Sequence, residues 1–159
     1  MRLTTRTNLA IRVLMYCGTH LDQITPSSII ADACNASANH LAQVVHTLHV
    51  NGFVDATRGR TGGVRLARDA AKINIGEVFR IFEADVPFTE CFSEATNTCP
   101  LVKACRLRVA IGRALEAFFH ELDLVTLEDL VKGNCGLVDI FAMTAPLASV
   151  ECNGADVAG

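Results

Sequence analysis

No stretch of this 159-residue chain reaches the roughly 18 consecutive apolar residues of a membrane-spanning helix. Its most apolar late segment, residues 138–150, is broken by Asp139 and Pro146. No charged-then-apolar leader opens the chain, which runs straight into a patterned helix, so the expected location is cytoplasmic. There is no C-x-x-C pair, no substrate-pocket motif and no internal repeat. These absences leave little for a membrane protein, and little for an enzyme or redox protein that would use its cysteines catalytically. A strong charge imbalance is also missing. The formal net charge is −3, too small to announce a nucleic-acid partner.

The distribution of charge says more. Residues 1–70 hold 7 Lys/Arg against 4 Asp/Glu, and residues 71–159 hold 7 against 13. A net +3 first half and a net −6 second half suit a DNA-facing part followed by a solvated part. Half of the residues are hydrophobic, enough for a real core. The seven cysteines are an odd number in a chain without an export signal, which favours metal or redox chemistry over a disulfide framework. Cys17, in an apolar helix, and Cys34, at the end of a short one, read as buried structural thiols. Cys135 and Cys152 receive no role.

Periodicity predicts a helix over residues 3–18, with Leu9, Val13, Leu14 and Cys17 on one face. A second helix covers residues 27–34, with Pro26 at its first position. Ser37 caps a third, running from Ala38 to about Val50, where Asn51-Gly52 stops it. Two strand-like runs, 53–57 and 64–67, flank the tip RGRTGG. A short helix follows at 76–83, then a cysteine loop at 85–100. A long helix runs from about 101 to 122, striped by Leu107, Ile111, Ala114, Leu115, Phe118 and Leu122. That stripe needs a partner, either the chain's own core or a second subunit. Thr126 caps a last short helix to Val131, and the tail from 145 is expected to fray. The fold class is mainly α with a small β-hairpin wing: a winged helix-turn-helix plus a long dimerisation helix. The expected divisions are 1–84 for DNA binding, 85–100 for the cysteine loop, 101–132 for the long and closing helices, and 133–159 for a partly flexible extension.

In such a fold the N-terminal side chains of the second motif helix meet base edges in the major groove. Here they are Asn39, His40 and Gln43. Asn and Gln suit bidentate contact with adenine, and Ser37 can cap the helix and bond a phosphate. The glycine-rich tip presents Arg58, Arg60 and Thr61 to a narrow minor groove. Arg65, Arg2 and Arg6 can add phosphate contacts. The plainer reading of Asn39, His40 and Gln43 is a wet helix face, and of Gly62-Gly63 an ordinary turn.

The second constellation is Cys91-FSEATNT-Cys99-PLVKA-Cys105. Three thiolates suit a soft metal, either an iron–sulfur cluster or zinc. Structural zinc usually wants close C-x2-4-C pairs, which are missing, whereas cluster ligands tolerate wider gaps. Cys99 precedes Pro100 at an expected helix start, where the dipole favours thiolate.

The chain resembles the winged-helix iron–sulfur regulators that include the IscR, NsrR and RirA types. The matching pieces are MRLTTRTNLAIRVLMY, NASANHLAQVV, RGRTGGVRL, INIGEVFR, the three-cysteine loop and LDLVTLEDLV, over residues 1 to about 132. The resemblance implies a homodimer with crossing long helices. It implies a cluster on Cys91, Cys99 and Cys105, with a 4Fe-4S form ahead of 2Fe-2S, and a palindromic double-stranded DNA operator. IscR-type members carry a histidine shortly after the third cysteine, where this chain has Leu107 and Arg108. NsrR-type members carry an Asp at the position of Asn8, so Asn8 is expected, from the partner subunit, as a weak ligand or as a residue that contacts the ligands without binding iron itself. The implied function is a cluster-dependent repressor sensing nitric oxide. The alternatives are an iron-responsive repressor of the RirA type and, further off, a redox or structural-zinc protein.

Overall fold

The computed structural model describes residues 3–21, 23–57, 59, 62–83, 87–93 and 95–142. Helix α1 (Thr5–Thr19) is the centre. Its N-cap is Thr4, whose side chain accepts from the Thr7 amide. Ala10, Val13, Leu14 and Tyr16 are fully buried, each large apolar side chain contributing about 1.5–3 kcal/mol. Around α1 pack α3 (Ala38–Val50), α4 (Ile75–Glu83) and α6 (Leu127–Val131), and the short α2 (Ser27–Ala33) precedes α3. Pro26 stands just outside α2, as its N-cap, rather than at the first helical position.

The boundaries of α3 follow from its ends. The Ser37 hydroxyl accepts from the His40 amide at 3.3 Å, satisfying one of the first-turn donors. Gly52 then takes a φ of +71°, which a glycine adopts without steric cost. Strands β1 (Val54–Thr57) and β2 (Gly63–Leu66) pair antiparallel, Val54 opposite Leu66 and Thr57 opposite Gly63. On its other side β2 takes a single-residue bridge from Thr25, with Thr25 N to Val64 O at 3.0 Å and Val64 N to Thr25 O at 2.8 Å. The wing is thereby tied to the segment entering α2.

Helix α5 (Arg106–Asp123) begins later than the periodicity suggests. Residues 99–104 instead make tight turns, Val102 N to Cys99 O and Ala104 N to Leu101 O. Cys105 then caps the helix, its sulfur accepting from the Arg108 amide. The thiol facing the helix dipole is therefore Cys105, and Cys99-Pro100 does not start a helix. Arg80 forks onto Asp123 at 2.5 and 2.7 Å, joining α4 to the end of α5 and holding the Asp123 carboxyl below the usual carboxylate range. The α5 stripe is only partly covered. Ile111, Leu115, Phe118 and Leu122 are half-buried, Leu107 is 66% exposed and no α5 residue is fully buried.

A seventh helix, α7 (Cys135–Ala142), was not expected. Phe141 is buried with its ring edge-on to Tyr16 at 5.1 Å. That tertiary contact makes a helix of a Gly- and Asn-containing stretch that reads as loop. The tail from residue 143, with Cys152, lies outside the described residues. No described helix is long and apolar enough to cross a membrane.

Cys17 and Cys34 are buried, 4% and 2% exposed, as the sequence suggests. Burial first, then the charge that Cys34 would place beside it, pushes the Cys17 thiol up to about 12. Burial pushes Cys34 up to about 11, against a lowering by Arg12. Both folded values lie above the ordinary 9.0. Their stabilising effect is thus complete below about pH 9 and is lost as pH rises through the folded values. Each pH unit of difference carries about 1.4 kcal/mol per thiol. Urea unfolding is expected to show falling stability from pH 8 to pH 10, and Cys17→Ala should lose part of that slope. A flat profile would contradict it.

Candidate nucleic-acid interface and cysteine segment

The α2–turn–α3 pair leaves Asn39 and Gln43 exposed and His40 half-buried on the first turns of α3. Ser37, Asn39, His40 and Gln43 thus share one helix end, as expected. Helix α3 carries no Lys, Arg, Asp or Glu, so phosphate neutralisation must come from neighbours. One is Arg6 on α1, whose Nη2 donates to Thr47 Oγ1 on α3 at 3.5 Å. Another is Arg65 on β2, which pairs across the hairpin with Asp55 at 3.2 Å. That exposed pair is weak, so Arg65 is available to phosphate at little cost. Arg58, Arg60 and Thr61 lie outside the described residues, as does Arg2. Gly59, between the two tip arginines, has a φ of +112°.

A β-carbon on Gly63 would overlap the carbonyl oxygen and carbon of Thr25. Glycine is needed there for backbone approach, not as an ordinary hairpin turn.

The cysteine segment connects α4 to α5. Cys91, Cys99 and Cys105 are free and half-buried. The Cys91 sulfur lies 3.0 Å from Thr89 Oγ1, and the Cys99 amide donates to Asn97 Oδ1 at 3.0 Å. Among the described residues no three Cys, His, Asp or Glu gather into a group able to hold an ion. The structure brings the three cysteines into one segment and does not bring their sulfurs to one point. The donor set still fits a soft metal: three unpaired thiols, none locked in the core, beside a helix N-terminus. The sequence marks Arg108 only as a place where a histidine is missing, yet its Nε donates to the Cys91 carbonyl at 2.9 Å. Nothing in the sequence points to Glu83, the last residue of α4. Its carboxylate accepts from the Thr4 amide at 2.9 Å and from the Thr7 hydroxyl. Asn8, next in α1, is exposed, and its Oδ1 accepts from Arg12 Nε at 2.7 Å.

A capped, exposed recognition helix, led in by a short helix and followed by a docked hairpin, defines a winged helix-turn-helix regulator that binds DNA. The chain belongs to the Rrf2 family, described as iron-dependent transcriptional regulators, which it matches over residues 3–133. It is a regulator of transcription and not an enzyme. It is 42% identical over 139 residues to the HTH-type transcriptional regulator NsrR of Geobacillus kaustophilus, covering 86% of this chain and 94% of that protein. A crystal structure of a putative transcriptional regulator from Listeria innocua superposes with a TM-score of 0.65 at 27% identity, over 84% of this chain and 88% of that one. The structure of T. potens IscR gives 0.64 at 22% identity, over 83% and 87%, a likeness of fold.

Proposed function

We propose that the protein is a homodimeric, iron–sulfur-dependent repressor that binds a palindromic DNA operator in the cytoplasm and senses nitric oxide. The observation that carries this reading is the cysteine segment, three free, half-buried thiols on the stretch that joins α4 to α5. Cys91, Cys99 and Cys105 would hold the cluster, 4Fe-4S ahead of 2Fe-2S. When bound, that group supplies an iron centre open to nitric oxide. The likeness to NsrR supports the choice of signal.

The chain's own residues supply the rest. Glu83, at the edge of the segment, bonds the first turn of α1, and Arg6 in that turn bonds Thr47 on α3. Movement of the segment thus reaches the recognition helix through two hydrogen-bonded steps. A coupling of about 1–3 kcal/mol would change operator affinity by about 5–150-fold. The exposed Leu107 and the half-buried Ile111, Leu115 and Phe118, at helical spacing on α5, supply an apolar stripe that a second copy would cover.

Arg60→Ala is expected to weaken operator binding at least about tenfold and to lower the salt slope by about 0.9 per wing, about 1.8 for the dimer, leaving the visible spectrum unchanged. Equal binding by this variant would remove the wing tip from the mechanism.

One observation favours an iron-responsive repressor instead. Asn8 offers a neutral amide oxygen already engaged by Arg12, a poor ligand for iron, so iron would be easily lost. The deciding experiment is the absorbance of anaerobically purified protein. Bleaching by nitric oxide supports the first reading, and bleaching only by a chelator supports the second. Protein that stays colourless and iron-free after cluster reconstitution would overturn both and leave a DNA-binding protein without an iron centre.

A further inference from the structure

Arg108 stands in the first turn of α5 and is tied to both ends of the cysteine segment. Its Nε donates to the carbonyl of Cys91 at 2.9 Å, across 17 positions of sequence. Its guanidinium lies over the Phe92 ring, 5.3 Å from the centroid. Its backbone N–H donates to the sulfur of Cys105 at 3.4 Å. The Phe92 ring also rests beside Gly112, one turn further along α5, with ring carbons 3.7 and 3.9 Å from where a β-carbon would stand. The Cys99 turn, by contrast, is held by local bonds to Asn97 and Val102.

This pose has a cost. A long side chain that is still exposed gives up rotamer freedom to hold it. Arginine suits the place because its planar, weakly hydrated cation can stack on a ring and donate in the plane at once, whereas a lysine ammonium cannot do both. The positive charge lies between the backbone of one thiol-bearing residue and the helix start of another. There it complements the negative charge of a thiolate-bound ion.

We propose that Arg108 is the positioning residue of the thiol site. It fixes Cys91 and Cys105 in a common frame in the ion-free protein, so that ion binding has only the Cys99 turn left to close. This inference rests on the cysteine ligation proposed above. It assigns a role to a residue that is not itself a ligand. Ordering two of three ligands beforehand removes much of the entropy cost of ion capture, and loss of such a supporting contact typically weakens metal affinity about 10–100-fold.

The test uses the full chain, reduced and metal-free, as wild type, Arg108→Lys and Arg108→Ala. The probe is Co(II), whose sulfur-to-metal absorption reports thiolate ligation. Hydrogen exchange of residues 89–93 is followed in the same metal-free samples. We expect Arg108→Ala to bind Co(II) about 10–100-fold more weakly and to exchange the Phe92 and Ser93 amides faster. Arg108→Lys, which keeps the charge, should fall between alanine and wild type. A merely structural role would not move cobalt affinity while leaving thermal unfolding unchanged, and unchanged unfolding is expected because the first turn of α5 is exposed. Normal wild-type absorption with unaltered cobalt affinity and exchange in Arg108→Ala would overturn the role of Arg108 alone. Wild-type protein that shows no thiolate–cobalt absorption and stays iron-free after cluster reconstitution would overturn the ligation on which the proposal depends; if it takes up iron alone, iron uptake replaces cobalt affinity as the readout.

Discussion

Cys99→Ala is expected to purify without iron under anaerobic conditions and to stay colourless after cluster reconstitution, with helix content equal to wild type. The reason lies in where the chain keeps its thiols. Among the described residues, only the segment between α4 and α5 offers three of them close in sequence and partly open to solvent. Cys17 and Cys34 cannot substitute, because burial holds both protonated far above neutral pH and a protonated thiol is a poor metal ligand. Cys135 sits on α7, apart in sequence and bonded locally to Gly133. Cys99 itself contributes nothing to the core, so its removal should spare the fold. Iron analysis and the visible spectrum read the result. A variant that kept a wild-type iron spectrum would remove Cys91, Cys99 and Cys105 as a ligand set.

Gly63→Ala is expected to cost about 2–4 kcal/mol of stability and at least about tenfold in operator affinity. Overpacking against rigid backbone costs about 1–3 kcal/mol, and here the obstacle is the Thr25 carbonyl group rather than a mobile side-chain end. Relief requires the strand to move off Thr25, which loses up to two hydrogen bonds at about 1 kcal/mol each. The same displacement would shift Arg65 and the tip with it, so DNA binding should fall along with stability. Urea unfolding and a binding isotherm on one sample would show both. A stable variant with wild-type affinity would mean that the wing tolerates displacement from the segment that enters α2.

Much of the DNA-binding half is legible in the residues because its signals are local. Ser37, the apolar spacing of Leu41, Val44, Val45 and Leu48, and Asn51-Gly52 define α3 from within. The strands and the capping box at Thr126 are equally local. The failures are tertiary. The Thr25 bridge is a single residue with no strand pattern of its own. Helix α7 forms where Phe141 finds Tyr16, a partner far off in sequence. The start of α5 is displaced because Pro100 resembles a helix opener, while the turns at 99–104 are satisfied otherwise and Cys105 makes the better cap. In the cysteine segment, residue type and spacing identify a soft-metal donor set. The placement of the sulfurs depends instead on Arg108, Phe92 and the local turns, which no spacing rule encodes. Asn8 shows the same limit: the residue is readable as a departure from a carboxylate, but its bond to Arg12 is not.

In the proposed mechanism the state of the cysteine segment sets the affinity of α3 and the wing for DNA. The direct measurement is the affinity of cluster-loaded protein for a palindromic operator duplex at fixed salt, before and after stoichiometric nitric oxide, with Cys99→Ala alongside. A drop of about 5–150-fold is expected on nitric oxide treatment, with Cys99→Ala bound weakly from the start and indifferent to the gas. Equal affinity in all three samples would contradict it.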